Sequence, residues 1–141
     1  MPPERQHYLG VPDGEALYYL DELTNAYTGL ILAHNVRRLI TLGERGWDEH
    51  PDHRATHVAA ERAKKRVEQM AWPVGLRALN AAQAGPLVVH GNPQAKYAGM
   101  QHHHSQHHMH QTPGGPQPNP VFWQTFAPYH PLLHHETYDI L

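Results

Sequence analysis

Residues 86–141 carry only three side chains with a full charge, Lys96, Glu136 and Asp139, yet hold eight of the chain's 13 prolines and ten of its 15 histidines. Proline lacks the backbone amide and fixes φ, so a stretch this rich in it sustains neither a helix nor a central strand. Gln101–Gln111 is low in complexity, and Thr112–Pro120 is dominated by Pro, Gly and Asn. Only Leu87-Val88-Val89 and Val121-Phe122-Trp123 read as short strands. The same stretch also holds Phe122, Trp123, Phe126, Tyr129, Leu132, Leu133, Tyr138, Ile140 and Leu141. Free in water it would expose large apolar groups, which marks an interaction surface. The pattern predicts an extended Pro/His-rich C-terminal tail that wraps over neighbouring protein chains.

Ahead of this tail the periodicity is helical. Asp13 stands as a helix cap before Gly14-Glu15-Ala16. Leu20, Leu23, Tyr27, Leu30 and His34 then recur at alternating spacings of three and four, one face of a helix. Val36, Leu39, Ile40 and Leu42 extend the apolar surface as far as Gly43 and Gly46, so the spacing predicts a helix over 14–43. A second helix is expected over 52–71, capped by Asp48 or Asp52 and buried through Ala55, Val58, Ala59, Ala63, Val67 and Met70. Trp72-Pro73 should kink or break it, because Pro73 disfavours helical geometry at the preceding residue. A shorter helix follows from Val74 to Ala84, ended by Gly85-Pro86. The short connection between the two long helices favours an antiparallel pair. The expected fold is mainly α: residues 1–12 as an N-terminal arm, 13–85 as a long antiparallel helical hairpin with a kink or break near 72–73, and 86–141 as the extended tail.

Several function classes are disfavoured. With no cysteine there is no disulfide scaffold, no thiol nucleophile and no Cys-ligated metal. Eleven basic residues against 13 acidic ones leave a net charge of −2, which supplies no basic field for nucleic acid. Arg62, Lys64, Lys65 and Arg66 cluster near Arg54 and Arg37-Arg38, but Glu61 and Glu68 dilute them and no aromatic residues interleave for base stacking. They read as a solvent face or a patch for an acidic partner, not as a specific nucleic-acid site. The most apolar run, Thr28–Ala33, is far shorter than the roughly 20 residues a bilayer requires. The opening Met1-Pro2-Pro3-Glu4-Arg5 lacks the apolar run of a secretory signal. Ser105 is the single serine, and no nucleophile elbow, phosphate loop or metalloprotease motif is present. The adjacent carboxylate pairs Asp21-Glu22 and Asp48-Glu49 point about 100° apart on a helix, so neither reads as a catalytic pair. The chain is expected not to be an enzyme.

Metal binding is the remaining chemistry. His102, His103, His104, His107, His108 and His110 place six imidazoles within nine positions, with Met109 adding a thioether. Imidazole suits Ni, Zn and Cu, although no fixed spacing preorganises a site. His53 and His57 stand four apart at the start of the second helix, near Glu49 and Glu61. A di-iron carboxylate site draws its ligands from four helices, and only two long ones are visible. His53 and His57 are therefore expected to be polar residues of a helix start, and His34 a hydrogen-bonded core residue. No cofactor is expected beyond an ion at the histidine-rich segment. The leading expectation is a noncatalytic accessory subunit of a large multi-protein assembly, such as an organellar complex or a virion. The alternatives are a histidine-rich protein that handles Ni, Zn or Cu, and a noncatalytic subunit of a metalloenzyme.

Overall fold

The computed structural model describes residues 6–45, 49–79, 86–92, 95 and 135–141. The chain divides into two compact units, Met1–Leu87 with Thr137–Leu141, and Val88–Glu136. A 3₁₀ turn, Ala16–Tyr19, leads into α1 (Leu20–Ala33), followed by β1 (Arg38–Leu42), α2 (Pro51–Gln69), β2 (Gly75–Leu79), β3 (Leu87–His90) and β4 (His135–Ile140). The four strands form one mixed sheet in the order β1-β2-β4-β3. β1 and β2 are parallel, with Arg38 beside Gly75 and Leu42 beside Leu79, and β4 runs antiparallel to β2. Parallel neighbours need a crossover connection, and α2 is that crossover. The protein is therefore α/β, which corrects the expected long helical hairpin.

The correction originates at Asn35. Its φ of 53° is left-handed, a conformation that asparagine tolerates better than most residues. The Val36 amide bonds the Ile31 carbonyl at 2.9 Å and the Asn35 amide bonds that of Leu32 at 3.3 Å, a Schellman closure of α1. Val36 folds back against Ile31, and the chain leaves as strand through the β-branched Ile40 and Thr41. α2 ends the same way. Ala71 has φ 59°, the Trp72 amide bonds Val67 O at 2.9 Å, and the Ala71 amide bonds Glu68 O at 2.9 Å. Pro73 then feeds β2, so the helix expected over Val74–Ala84 is replaced at Gly75–Leu79 by a strand; residues 80–85 lie outside the described residues.

Because β1 returns the chain between the helices, α1 and α2 run in the same direction rather than antiparallel. Ala16 packs with Ala55 and Ala59, Asp21 pairs with Arg62, Asn25 bonds Arg66, and Ile31 packs with Val67. The contact depends on small residues: Ala55, Ala59, Ala60 and Ala63 are at most 1 % exposed, so α1 packs on one side of α2 while the sheet packs on another. On α1 the buried line is Leu23, Thr24, Thr28 and Ile31, with Leu20 and Tyr27 half-buried. The buried Thr24 and Thr28 hydroxyls bond the carbonyls of Leu20 and Thr24, which satisfies them inside the helix. Leu30 is only half-buried. His34, the residue at which α1 ends, is exposed rather than in the core, and its ring lies against His7. Met70 also misses the core, at the equivalent place on α2.

Of the tail, Leu87–His90 is strand as expected and His135–Ile140 is a strand the sequence did not reveal. Val121-Phe122-Trp123 lies outside the described residues. Among the described residues no helix is long and apolar enough to cross a membrane.

Two stability predictions follow from the turns and the alanine face. Exposed Ala71 bears the left-handed strain, so Ala71→Gly should raise stability by about 0.5 kcal/mol while Ala71→Val lowers it by 1 kcal/mol or more, read as urea midpoints. Ala59→Leu should cost about 1–3 kcal/mol by overpacking, and Leu23→Ala about 2–5 kcal/mol by leaving a cavity.

Candidate functional site

The polar residues gather at the start of α2. Pro51 occupies its first position, where a missing amide does no harm, and His50 is the extended residue before it. His50 Nδ1 accepts the Asp52 amide at 3.3 Å. The Asp52 carboxylate reaches away from its own helix and accepts the amides of Gly14 at 2.6 Å and Ala16 at 3.0 Å. Asp52 thus caps the 3₁₀ turn ahead of α1 from the far side of the fold. This corrects the expectation that Asp13 caps the first helix and that Asp52 caps the second, whose cap is His50; Asp48 lies outside the described residues. Asp13, His50 and Asp52 each bring one ligand-type atom within 4.8 Å of the other two.

The Gly14 amide is the chief reason the Asp52 carboxyl lies below its ordinary range; partial burial opposes it, while the Ala16 amide, His50 and Asp13 add to the lowering. A carboxylate whose folded pKa is depressed contributes stability in full above its unfolded pKa, and loses it as pH falls through the folded value. Urea midpoints of the parent should therefore fall as the pH drops below about 4. Asp52→Asn should lower the midpoint at pH 6 and flatten this acid limb; an equally steep limb in the variant would show that other carboxylates carry it.

His57 plays a different part. It is 3 % exposed, and its Nδ1 lies 2.9 Å from the Leu42 carbonyl. A carbonyl only accepts, so Nδ1 carries the proton and ties α2 to the end of β1. Nε2 lies 3.8 Å from Glu61. His53 instead sets its ring 5.2 Å from that of His50, and Glu49 pairs with Arg45. The structure does not bring His53, His57, Glu49 and Glu61 together as one ligand set. At the end of β1, Gly43 is required: a Cβ there would collide with the Leu79 carbonyl oxygen.

Three members of the basic cluster make ties on and between the helices. Arg62 bonds Asp21 at 3.2 Å, Arg66 bonds Asn25, and Lys64 bonds Glu68 at 2.7 Å. Arg37 lies 3.8 Å over the Trp72 ring, whose Nε1 donates to Val36 O. These contacts join the two helix ends.

The sheet has two unlike faces. Leu39, Thr41, Leu76 and Ala78 turn towards α2, and alternation places Arg38, Ile40, Leu42, Arg77 and Leu79 on the other side. Ile140 stands opposite Arg77, so Ile40, Arg77 and Ile140 form one row across three strands. Ile40 is 61 % exposed and Ile140 55 %. The sequence conceals this row because its members belong to segments far apart in the chain.

His102, His103, His104, His107, His108 and His110 lie outside the described residues. No protein-family model, curated protein or solved structure matches the chain.

Proposed function

We propose that the protein is a noncatalytic accessory subunit of a larger multi-protein assembly, held through the second face of its sheet and through the apolar, proline-rich sequence that leads into β4. The observation that carries this reading is the row Ile40–Arg77–Ile140, two isoleucines more than half exposed on a sheet face that α2 does not cover. Exposed apolar groups set around a cation are the composition of a protein interface core, where aliphatic and arginine side chains are favoured over lysine and acids. The nine large apolar residues between Phe122 and Leu141 point the same way, since a free segment of that composition in water is unfavourable. Capture of Ni, Zn or Cu is the second reading, favoured by the six imidazoles of residues 102–110.

Native mass measurement on material from the natural source, with a variant carrying Ile40→Glu and Ile140→Glu, tests the first reading. The parent should run in a complex far above its own 16.0 kDa, and the variant should run alone. Both isoleucines are already exposed, so the variant's unfolding free energy in urea should stay within about 1 kcal/mol of the parent's. A parent found only at its own mass would refute the assembly role. Loss of Ni or Zn binding on changing all six histidines to Gln, in a chain that remains a monomer, would favour metal handling.

A further inference from the structure

We propose that the partner implied by the assembly role above is an extended, acidic and apolar segment of another protein, added as a strand to the free edge of β1; the proposal rests on that role. The strand order leaves β1 at one edge of the sheet. The Gly75 amide bonds the Arg37 carbonyl at 3.0 Å, and Arg38 stands beside Gly75. In a parallel ladder of that register the main-chain groups of Arg37, Leu39 and Thr41 serve β2, so those of Arg38, Ile40 and Leu42 point away from it. His57 Nδ1 donates to the Leu42 carbonyl and closes the far end of the edge. The amides and carbonyls of Arg38 and Ile40 have no hydrogen-bond partner among the described residues. Residues two apart on one edge are the positions at which an antiparallel neighbour exchanges both of its bonds, so the edge is cut to a short added strand. Sheet edges are commonly blunted by charge, and Arg38 supplies one. Ile40, 61 % exposed, does the reverse and invites pairing.

The side chains select the partner. Arg38 and Ile40 lie on the face that α2 does not cover, and Arg77 stands beside Ile40 on β2. β1 and β2 contain no acidic residue, and neither arginine belongs to an ion pair among the described residues. Arg77 donates to the neighbouring Leu76 carbonyl, which leaves its charge uncompensated. An added strand sets its side chains about 5 Å from those of β1, so a carboxylate opposite Arg38 and an apolar group opposite Ile40 complete the pairing. A second copy of this chain is a poorer match. Joining two β1 edges would build one sheet face with Arg38 and Arg77 from both copies and no carboxylate from these strands.

The test uses the full chain in its natural source. Ile40→Pro removes an outward amide and a side chain but no bond to β2, a change that an edge strand accommodates. Arg38→Glu reverses the charge, leaves the backbone intact, and carries the test should the proline disturb β1. Each should lower the fraction of chain found in the complex by roughly tenfold or more, while cross-strand proton contacts between β1 and β2 persist in the purified variant. Arg38→Lys, which keeps the charge, identifies the partner, because a water-soluble carbodiimide joins a lysine amine to a carboxylate held against it. Peptide mapping of the coupled product should place the link at an Asp or Glu flanked by apolar residues in another protein. Retention of a correctly folded variant in the complex, a link to this chain or a second copy of it, or no link would overturn the edge as the docking site. If both variants are retained while the chain with Ile40→Glu and Ile140→Glu is released, the assembly role stands without it. A parent found only at its own mass refutes both.

Discussion

Everything in the folded unit depends on the chain reversing out of each helix through a single left-handed residue. At Asn35 and at Ala71 the backbone adopts φ near +55°, two amides close back onto the preceding turn, and the next side chain drops onto the core. Val36 and Trp72 are those side chains, and both pack against the cluster of Ile31, Ala63, Val67 and Val74. If α1 ran on through Asn35, Arg38–Leu42 would be helix, β2 would lose its parallel neighbour, and α2 would have no crossover to make. The turns convert two amphipathic helices into two helix–strand units lying side by side.

The alanine face of α2 lets those units pack closely, and polar ties fix both ends of the helix. Asp52 binds the turn ahead of α1, and His57 binds the end of β1. At the other end Trp72 donates to Val36 O beneath the Arg37 guanidinium. Each tie joins segments that a local capping rule would treat separately. The assembly that places Asp52 also brings Asp13 and His50 beside it.

Much of α2 was legible in the sequence, because its alanine and valine spacing is helical, its proline sits at the start, and Trp72-Pro73 marks its end. The existence of α1 was equally plain, but its length was not. Leu39, Ile40 and Leu42 continue an apolar pattern that fits helix or strand, and only the β-branched pair Ile40-Thr41 and the asparagine before it favour strand. Local reading took the continuation as helix, and the parallel sheet was lost with it. The same ambiguity hid β2, whose Leu76, Ala78 and Leu79 satisfy either period. The cluster of Asp13, His50 and Asp52 was invisible for another reason: Asp13 stands in a segment far along the chain from His50 and Asp52, and each looks like an ordinary residue at a helix start.

The functional account follows from that architecture. A sheet shielded by helix on one side and carrying exposed isoleucines on the other is the ground on which the proposed assembly role rests. The claim beneath all of this is that Asn35 ends a helix and β1 begins beside β2. Backbone chemical shifts of the full chain test it most directly. Helical Cα shifts should stop at Ala33, extended shifts should cover Leu39–Thr41, and cross-strand proton contacts should link Ile40 with Arg77. Helical shifts running unbroken through Leu42, without those contacts, would contradict the account.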